Sequence, residues 1–357
     1  MAQTERAGHS GGMTPPLVPD IKPVPTKARS PLGVVELVLG DGQTVKAVGV
    51  VYGLEHRLET ADFEAELFLD QYNQRLRVLN YTATDVSQLV MALRKLANAN
   101  GFDKIIVMAS HDDWQAFLRF GYVLEAVLEY YHGGDDAFVV SKFRSQERLD
   151  SPNLMDETLL IEQISARDIG TRTHKAVPEG HTIRLARRED IFSLLELYQE
   201  IFDSYPSPLK HASYLEHIFQ KESLFAVCVR DGSVVAAASA ELMPSKRAAE
   251  LTDCATRKEA RGKGLMSHLL MRLEEELCRR AYVCAYTMAR GRSYGMNSVF
   301  FQLGYEYTGR LINNCDIYGA YEDMNIWVKD LRPFQSSDDK GAVAAVSSDG
   351  NVQGASA

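Results

Sequence analysis

The feature that most constrains the fold is a glycine-containing loop, Arg261-Gly262-Lys263-Gly264, between a predicted strand and a predicted helix. Two glycines separated by one residue let the backbone turn tightly and remove Cβ atoms, so amide N–H groups can face an anion. A helix that begins at Leu265 would add its unpaired N–H groups and the positive end of its dipole. The sequence therefore predicts a phosphate-binding loop at a strand-to-helix junction.

Strand and helix patterns alternate along most of the chain. In the first part, strands are predicted at residues 34–39, 45–51, 76–81, 104–108 and 137–143, and helices at 85–99 and 114–120. In the second part, strands are predicted at 182–185, 224–230, 234–241, 249–256, 281–288, 306–313 and 324–328, and helices at 190–202, 212–219, 265–279 and 297–303. This order predicts two α/β units, residues 33–143 and 182–331, joined by a polar linker at 144–181 that carries one helix.

A repeated pattern connects the two units. Phe-x-x-x-Gly-Tyr occurs at residues 117–122 and again at 300–305, each time after a predicted helix and strand and before an acidic pair. The repetition favours a degenerate duplication. The first unit has no Gly-x-Gly loop, so we expect it not to bind phosphate. We expect it to cover the active site of the second unit or to form a dimer surface.

Composition excludes several classes of protein. Residues 1–32 hold six of the 12 prolines, residues 332–357 are mostly small and polar, and both segments are predicted to be disordered tails. The net charge of −9 argues against a nonspecific grip on nucleic acid. The five cysteines form no Cys-x-x-Cys pair and the nine histidines no closely spaced pair, so no metal site is expected. The absence of a signal-like start or a long apolar run predicts a cytoplasmic protein without membrane spans.

The element order of residues 182–331, together with Arg261-x-x-Gly264, resembles the GNAT superfamily of N-acetyltransferases. The resemblance implies an α/β fold with a mixed, mostly antiparallel sheet flanked by helices, preceded here by a degenerate GNAT-like unit. It also implies acetyl-CoA as cosubstrate and no metal. Met266 departs from the family loop, which has Gly or Ala at that position. The implied CoA-binding residues are Cys254, Ala255, Thr256, Arg261, Gly262, Lys263, Gly264, Leu265 and Met266.

Further segments, at residues 133–143, 205–208, 304–315 and 322–327, resemble the beta-lysine N-acetyltransferases, so the resemblance extends over most of the chain between the tails. It implies acetylation of the ε-amine of β-lysine to give a compatible solute in osmoadaptation, and a functional pairing with a lysine 2,3-aminomutase. A homodimer is a further expectation.

Acetylation of an amine requires a base, because a lysine-type ammonium, with a pKa of about 10.4, has no lone pair. The resemblance to histone-type GNAT enzymes implies that Glu250 is the general base, with Asp253 as the next candidate. Strand alternation places Glu250, Thr252 and Cys254 on one face and Asp253 on the other.

The acid that protonates departing CoA is less clearly marked. Phe300 occupies the position at which many family members have the catalytic tyrosine. Either Tyr294 substitutes for it, or solvent protonates the thiolate.

The acceptor would need a cation for its carboxylate and carboxylate or amide partners for its amines. Arg310 is the candidate for the carboxylate. The remaining candidate substrate-binding residues are Tyr205, Asn313, Asn314, Glu322 and Asp323. Two alternatives remain open, namely an acetyltransferase of another amine (a polyamine, lysine or a protein lysine) and a non-catalytic CoA-sensing module.

Overall fold

The first half of the chain alternates strands and helices as its apolar pattern predicts. A computed structural model describes residues 32–50, 52–167, 176–202, 205–221, 223–317 and 319–332. Most of both predicted tails lies outside the described residues. The elements of this half are β1 (Leu32–Val38), β2 (Thr44–Val50), β3 (Leu54–Glu59), β4 (Phe63–Asp70), β5 (Arg75–Ala83), α1 (Val86–Asn100), β6 (Lys104–Ala109), α2 (Trp114–Arg119), β7 (Val123–His132) and β8 (Asp135–Phe143).

Helix α1 shows how local sequence sets an element. The Asp85 side chain accepts a hydrogen bond from the backbone N–H of Ser87 and caps the first turn. Gly101, with φ 68°, ends the helix in the left-handed conformation. The helix buries one side against the sheet, through Leu89, Val90, Leu93, Leu96 and Ala97. Strands β3, β4 and β7, by contrast, were not predicted.

The second half carries more helices. Its elements are α3 (Gln146–Leu149), α4 (Leu154–Ser165), β9 (His181–Leu185), α5 (Ile191–Ile201), α6 (Ala212–Lys221), β10 (Ser223–Arg230), β11 (Ser233–Met243), β12 (Ala248–Thr256), α7 (Leu265–Arg279), β13 (Cys284–Arg290), α8 (Tyr294–Gln302), β14 (Glu306–Ile317) and β15 (Ala320–Asp330). The predicted linker thus contains two helices, α3 and α4, where one was expected.

Thirteen strands form one continuous sheet in the order β3-β4-β5-β6-β8-β7-β14-β15-β13-β12-β11-β10-β9, and β1 and β2 pair separately. The parallel neighbours are β5 with β6 and β12 with β13, and the other pairs are antiparallel. The predicted fold class, a mixed and mostly antiparallel sheet with flanking helices, is confirmed.

The strand order is a mirror image about its centre. The series β5-β6-β8-β7 of the first half meets β14-β15-β13-β12 of the second, and the two series join where Gly309 of β14 pairs with Ala126 of β7. An apolar cluster spans this junction and includes Leu128 and Val139 of the first half and Tyr286 and Ile326 of the second. The two halves therefore share a core.

Gly309 allows the central strands to meet. Its φ is 153°, and a Cβ on this residue would lie 2.2 Å from the carbonyl oxygen of Glu125 and 2.6 Å from the Cα of Ala126. Gly309→Ala should therefore lower the free energy of unfolding by about 2 kcal/mol or more, as overpacking and backbone strain combine.

Urea unfolding measures this effect. Gly295→Ala is the matched control, because no described atom lies within 4 Å of its Cβ position. That control should differ from wild type by no more than about 1 kcal/mol. Equal stability of the two variants would show that the junction of β7 and β14 tolerates a side chain.

Candidate active site

The Gly-x-Gly loop has the open geometry that its sequence predicts. Gly262 and Gly264 have φ values of 75° and 76°, which strongly favour glycine. Gly264 precedes α7, and no described side chain caps the first turn of that helix. Among the described residues, no heavy atom lies within 4 Å of the Cβ position of Gly262. Arg261 anchors the loop, because its Nε donates to the carbonyl oxygen of Thr256 at 3.1 Å.

Strands β12 and β13 separate just before this loop. They pair in parallel only at residues 248–250 with 284–286, although β12 continues to Thr256 and β13 to Arg290. Beyond the last pair, Thr287 Oγ1 donates to the carbonyl oxygen of Leu251 at 2.7 Å. The edge of β12 that leads to the loop therefore faces a gap in the sheet and can offer backbone groups to a ligand.

A bulge in β12 changes the predicted arrangement of its side chains. Asp253 has φ 52°, and the register between β11 and β12 shifts opposite this residue. Asp253 Oδ2 accepts a hydrogen bond of 2.6 Å from Ser239 Oγ, whereas Cys254 packs with Leu251 against the core beneath α7. The expectation that Cys254 shares a face with Glu250 and that Asp253 lies opposite was wrong, because a bulge interrupts strict alternation.

Glu250 is a buried carboxyl at the point where β12 and β13 separate. It is 8% exposed, and the Tyr286 hydroxyl donates to its Oε2 at 3.3 Å. Burial and, to a smaller extent, the negative charge of Glu241 raise the pKa of Glu250 to about 8, although the positive charge of Arg77 acts in the opposite direction.

Asp253 is the second buried acid of this strand, and burial raises its pKa to about 6. Tyr205 lies against this carboxyl and hydrogen-bonds to Thr252 and Asp253. Both acids can therefore exchange protons near neutral pH, as general acid–base catalysis requires.

A small cavity of about 20 Å³, partly open to solvent, lies between the two halves of the chain. Tyr286, which contacts Glu250, lines it together with Arg77 from β5. The other lining residues are Arg75, Ile106, Met108, Leu128, Val139, Met288, Leu311, Asn314 and Ile326. The sequence analysis missed Arg77, because a single arginine in a strand of the unit without a loop carries no recognisable signal.

Asn314 is thus the predicted substrate residue that lines the cavity. Its backbone carbonyl accepts hydrogen bonds from Arg75 at 2.9 Å and from Arg148 at 3.1 Å. Its side-chain Nδ2 lies 3.9 Å from the sulfur of Met288, another lining residue.

The other predicted polar residues are not cavity-lining residues. Arg310 Nε donates to Asn325 Oδ1 at 2.7 Å and lies 3.5 Å from Glu157 Oε2 of α4. The Asn313 side chain donates to backbone carbonyls of residues 147, 148 and 150, and its N–H donates to Asp323 at 2.6 Å. Glu322 pairs with Arg290 at 2.7 Å. The contacts of Arg310 and Asn313 hold α4 and α3 against β14.

Tyr294 begins α8 and is 40% exposed, with the Arg167 guanidinium 5.1 Å from its ring centroid. Phe300, which occupies the family's tyrosine position, is 1% exposed and packs in the core beneath α7.

Among the described residues, no group of three or more His, Cys, Asp or Glu side chains is placed to hold a metal ion. No helix in the same ranges has the length and apolar character needed to cross a membrane.

The raised pKa of Glu250 predicts a pH dependence of stability. The folded protein retains this proton between the ordinary value of 4.5 and about 8, whereas the unfolded chain releases it. The free energy of unfolding therefore falls as pH rises through this window, by at most about 1.4 kcal/mol per pH unit. Glu250→Gln should accordingly gain stability relative to wild type between pH 5 and 8. Urea unfolding across this range measures the difference, and a constant difference would contradict a raised pKa.

Comparison with known proteins places this geometry among acetyltransferases. Residues 192–292 match the acetyltransferase (GNAT) family. The chain is 34% identical to the beta-lysine N(6)-acetyltransferase of Methanosarcina mazei, over 68% of this chain and 97% of that protein. It is 33% identical to the N-acetyltransferase YodP of Bacillus subtilis, over 81% and 99% respectively. It is 30% identical to the beta-lysine N(6)-acetyltransferase of Methanococcus maripaludis, over 73% and 94%.

Proposed function

The chain belongs to the GNAT family of acetyltransferases, and on that premise we propose that it acetylates the ε-amine of β-lysine. As a family member it is an N-acetyltransferase that uses acetyl-CoA. The name of two relatives supports β-lysine as the acceptor, and those relatives align with this chain over 97% and 94% of their own lengths. The observation that carries the proposal is the buried carboxyl of Glu250, where β12 and β13 part beside the cavity.

The residues present fit acetyl-CoA, which supplies the thioester carbonyl that the amine attacks. The amide groups of residues 262–265, at the open start of α7, would hold its pyrophosphate. Arg261 and Lys263 would add positive charge. The backbone of residues 254–256, along the gap beside β13, would hydrogen-bond to the pantetheine arm. Met266 packs towards the core beneath α7, so its side chain does not fill the loop.

Glu250 is proposed to accept the proton of the attacking amine. A buried carboxyl whose pKa is raised becomes a stronger base, and its tuning towards neutral pH suits a general base. The hydroxyl of Tyr286 orients Oε2 through the 3.3 Å hydrogen bond. Asp253 is the alternative base, and the bulge of β12 brings it to the side of Ser239 and Tyr205.

Two proton sources are proposed for the departing CoA thiolate, Tyr294 and water. Tyr294 has the exposure that contact with a ligand requires, and it stands at the first turn of α8. Phe300 is buried and its side chain has no ionisable proton, so it cannot act as the acid.

The acceptor is proposed to bind in the cavity between the halves. Asn314 lines this cavity and Tyr205 contacts Asp253, so both retain their predicted roles as substrate contacts. Arg310 and Asn313 are proposed instead to position α3 and α4, since their side chains are engaged there. Glu322 pairs with Arg290, and Asp323 accepts the backbone N–H of Asn313, so both are proposed to be structural residues.

The wider setting follows from the same proposal. Residues 33–143 are proposed to be a degenerate GNAT-like unit, with 182–331 as the catalytic unit and 144–181 as the connection. We infer a cytoplasmic enzyme whose substrate comes from a lysine 2,3-aminomutase and whose product is a compatible solute. A homodimer is part of this proposal.

Replacement of the base tests the mechanism. Glu250→Gln should lower kcat with β-lysine by about 100-fold or more, the usual scale for loss of a general base, and leave the Kd of acetyl-CoA nearly unchanged. Glu275→Gln on α7 is the matched control, because its side chain is 69% exposed, and it should retain full turnover. If Glu250→Gln keeps the turnover of the wild type from pH 7 to 9, the base is Asp253 or a chain of water molecules instead.

A second variant tests the CoA loop. Gly264→Glu would place a carboxylate at a backbone position with φ 76° that faces the proposed pyrophosphate site. The Kd of acetyl-CoA in calorimetry should rise by about 100-fold or more, while the thermal transition remains cooperative. Retained affinity would exclude this loop as the CoA site.

A further inference from the structure

Two arginines from the same strand of the first half line the cavity, and they differ in their partners. Arg75 and Arg77 lie two residues apart on β5, so their side chains lie on one face. Arg75 Nε donates to Asp70 Oδ2 at 2.7 Å, and its Nη1 donates to the carbonyl oxygen of Asn314. Among the hydrogen bonds and ion pairs of the described residues, none involves the Arg77 guanidinium. Arg75 is therefore a structural arginine, whereas Arg77 is available to a ligand.

The charges around Arg77 identify the end of the cavity that it occupies. Glu250 and Glu241 act on it through space, although Glu250 is not within ion-pair distance. Tyr286, which also lines the cavity, donates its hydroxyl hydrogen bond to Glu250. The cavity thus carries a cation from the first half near an acid of the second half.

The other cations near the site are already engaged. Lys246 Nζ donates to the carbonyl oxygen of Leu79 at 2.6 Å and to the Tyr131 hydroxyl at 3.3 Å. Arg310, the candidate from sequence, is held by Asn325 and by Glu157 of α4.

We propose that Arg77 binds the carboxylate of the acceptor, so that the half of the chain without a CoA loop determines which amines the other half acetylates. This inference rests on the proposed function. β-Lysine has a carboxylate at one end and the reacting ε-amine at the other, so an acceptor with its amine at Glu250 would extend its carboxylate past Tyr286 towards the cavity that Arg77 lines. The planar guanidinium of an arginine can donate two parallel hydrogen bonds to the two oxygens of a carboxylate. When β-lysine binds, its carboxylate would pair directly with Arg77 and its amine with Glu250. These pairs would replace the long-range attraction between Arg77 and Glu250.

The Arg77 charge also acts on Glu250, and this second effect has to be separated from the first. Arg77 lowers the pKa of Glu250, so its removal would raise that pKa and slow the reaction of every acceptor. Loss of a carboxylate contact, in contrast, affects only acceptors that have a carboxylate. The ratio of kcat/KM for two acceptors therefore distinguishes substrate binding from tuning of the base.

The test compares β-lysine with pentane-1,4-diamine, which is β-lysine without its carboxyl group. Wild type should prefer β-lysine by about 30-fold or more in kcat/KM. Arg77→Gln should bring the ratio close to one, mainly by raising the KM of β-lysine, and the Kd of acetyl-CoA should stay the same. Arg77→Lys keeps the positive charge but cannot donate two parallel hydrogen bonds, so its ratio of kcat/KM values should be intermediate. Arg94→Gln, at an exposed arginine of α1, is the matched control and should keep the wild-type ratio.

Each outcome separates the inference from the proposed function. If Arg77→Gln acetylates both acceptors more slowly but keeps the preference for β-lysine, Arg77 tunes the base and the inference is overturned, while the function stands. If wild type acetylates the diamine with the same kcat/KM as β-lysine, both the carboxylate site and the assignment of β-lysine as the acceptor are wrong. If Arg77→Gln fails to fold, the ratio of Arg77→Lys decides, and an unchanged ratio there overturns the inference.

Discussion

The separation of β12 from β13 is the constraint on which the site depends. Two parallel strands that pair at only three residues leave the last six residues of β12 without a partner on that side. Unpaired backbone groups inside a protein are costly unless a ligand, water or a side chain satisfies them. The Thr287 hydroxyl satisfies one of them at Leu251, and the remainder form an edge that leads into the Gly-x-Gly loop. In the proposed function the gap therefore links the phosphate site, the strand that would hold the arm of CoA, and Glu250 at its inner end.

The electrostatics of the site follow from the position of that inner end. Glu250 lies on β12 beside β13 and is 8% exposed, so water is largely excluded from its carboxyl. The apolar cluster around this point includes side chains of both halves. Burial disfavours the ionised carboxylate, and the neighbouring acids Glu241 and Asp253 make its ionisation still less favourable. Arg77 partly offsets these effects from across the cavity. An acid of ordinary strength in water thus becomes a base near neutral pH through its surroundings alone.

The two halves form one structure because their central strands close a single sheet. The mirrored strand order brings β7 against β14, and Gly309 allows an approach that a Cβ would obstruct. The shared core beneath this junction also explains how the first half can lack a loop and still contribute to the site. The first half supplies one wall of the cavity. Its buried Lys104 also links the halves, because Nζ pairs with Glu125 and donates to the carbonyl oxygen of Ile312. In the proposed function the second half carries the chemistry, and the first half supplies a wall of the acceptor site.

The sequence by itself determined the features that depend on neighbouring residues. Helix caps, apolar periodicity and paired glycines act within a few residues, so α1, α7 and the loop with its left-handed glycines were predictable. The resemblance to histone-type GNAT enzymes also indicated Glu250 as the candidate base. Only the tertiary structure decided the contacts between segments that are distant in the sequence. The bulge at Asp253 arises from the register with β11, which strand alternation cannot reveal. Arg310 contacts α4, 156 residues away at Leu154, and the charge of Arg77 acts on Glu250 of the other half. Such contacts depend on how complete strands pack, and a local pattern carries no record of them.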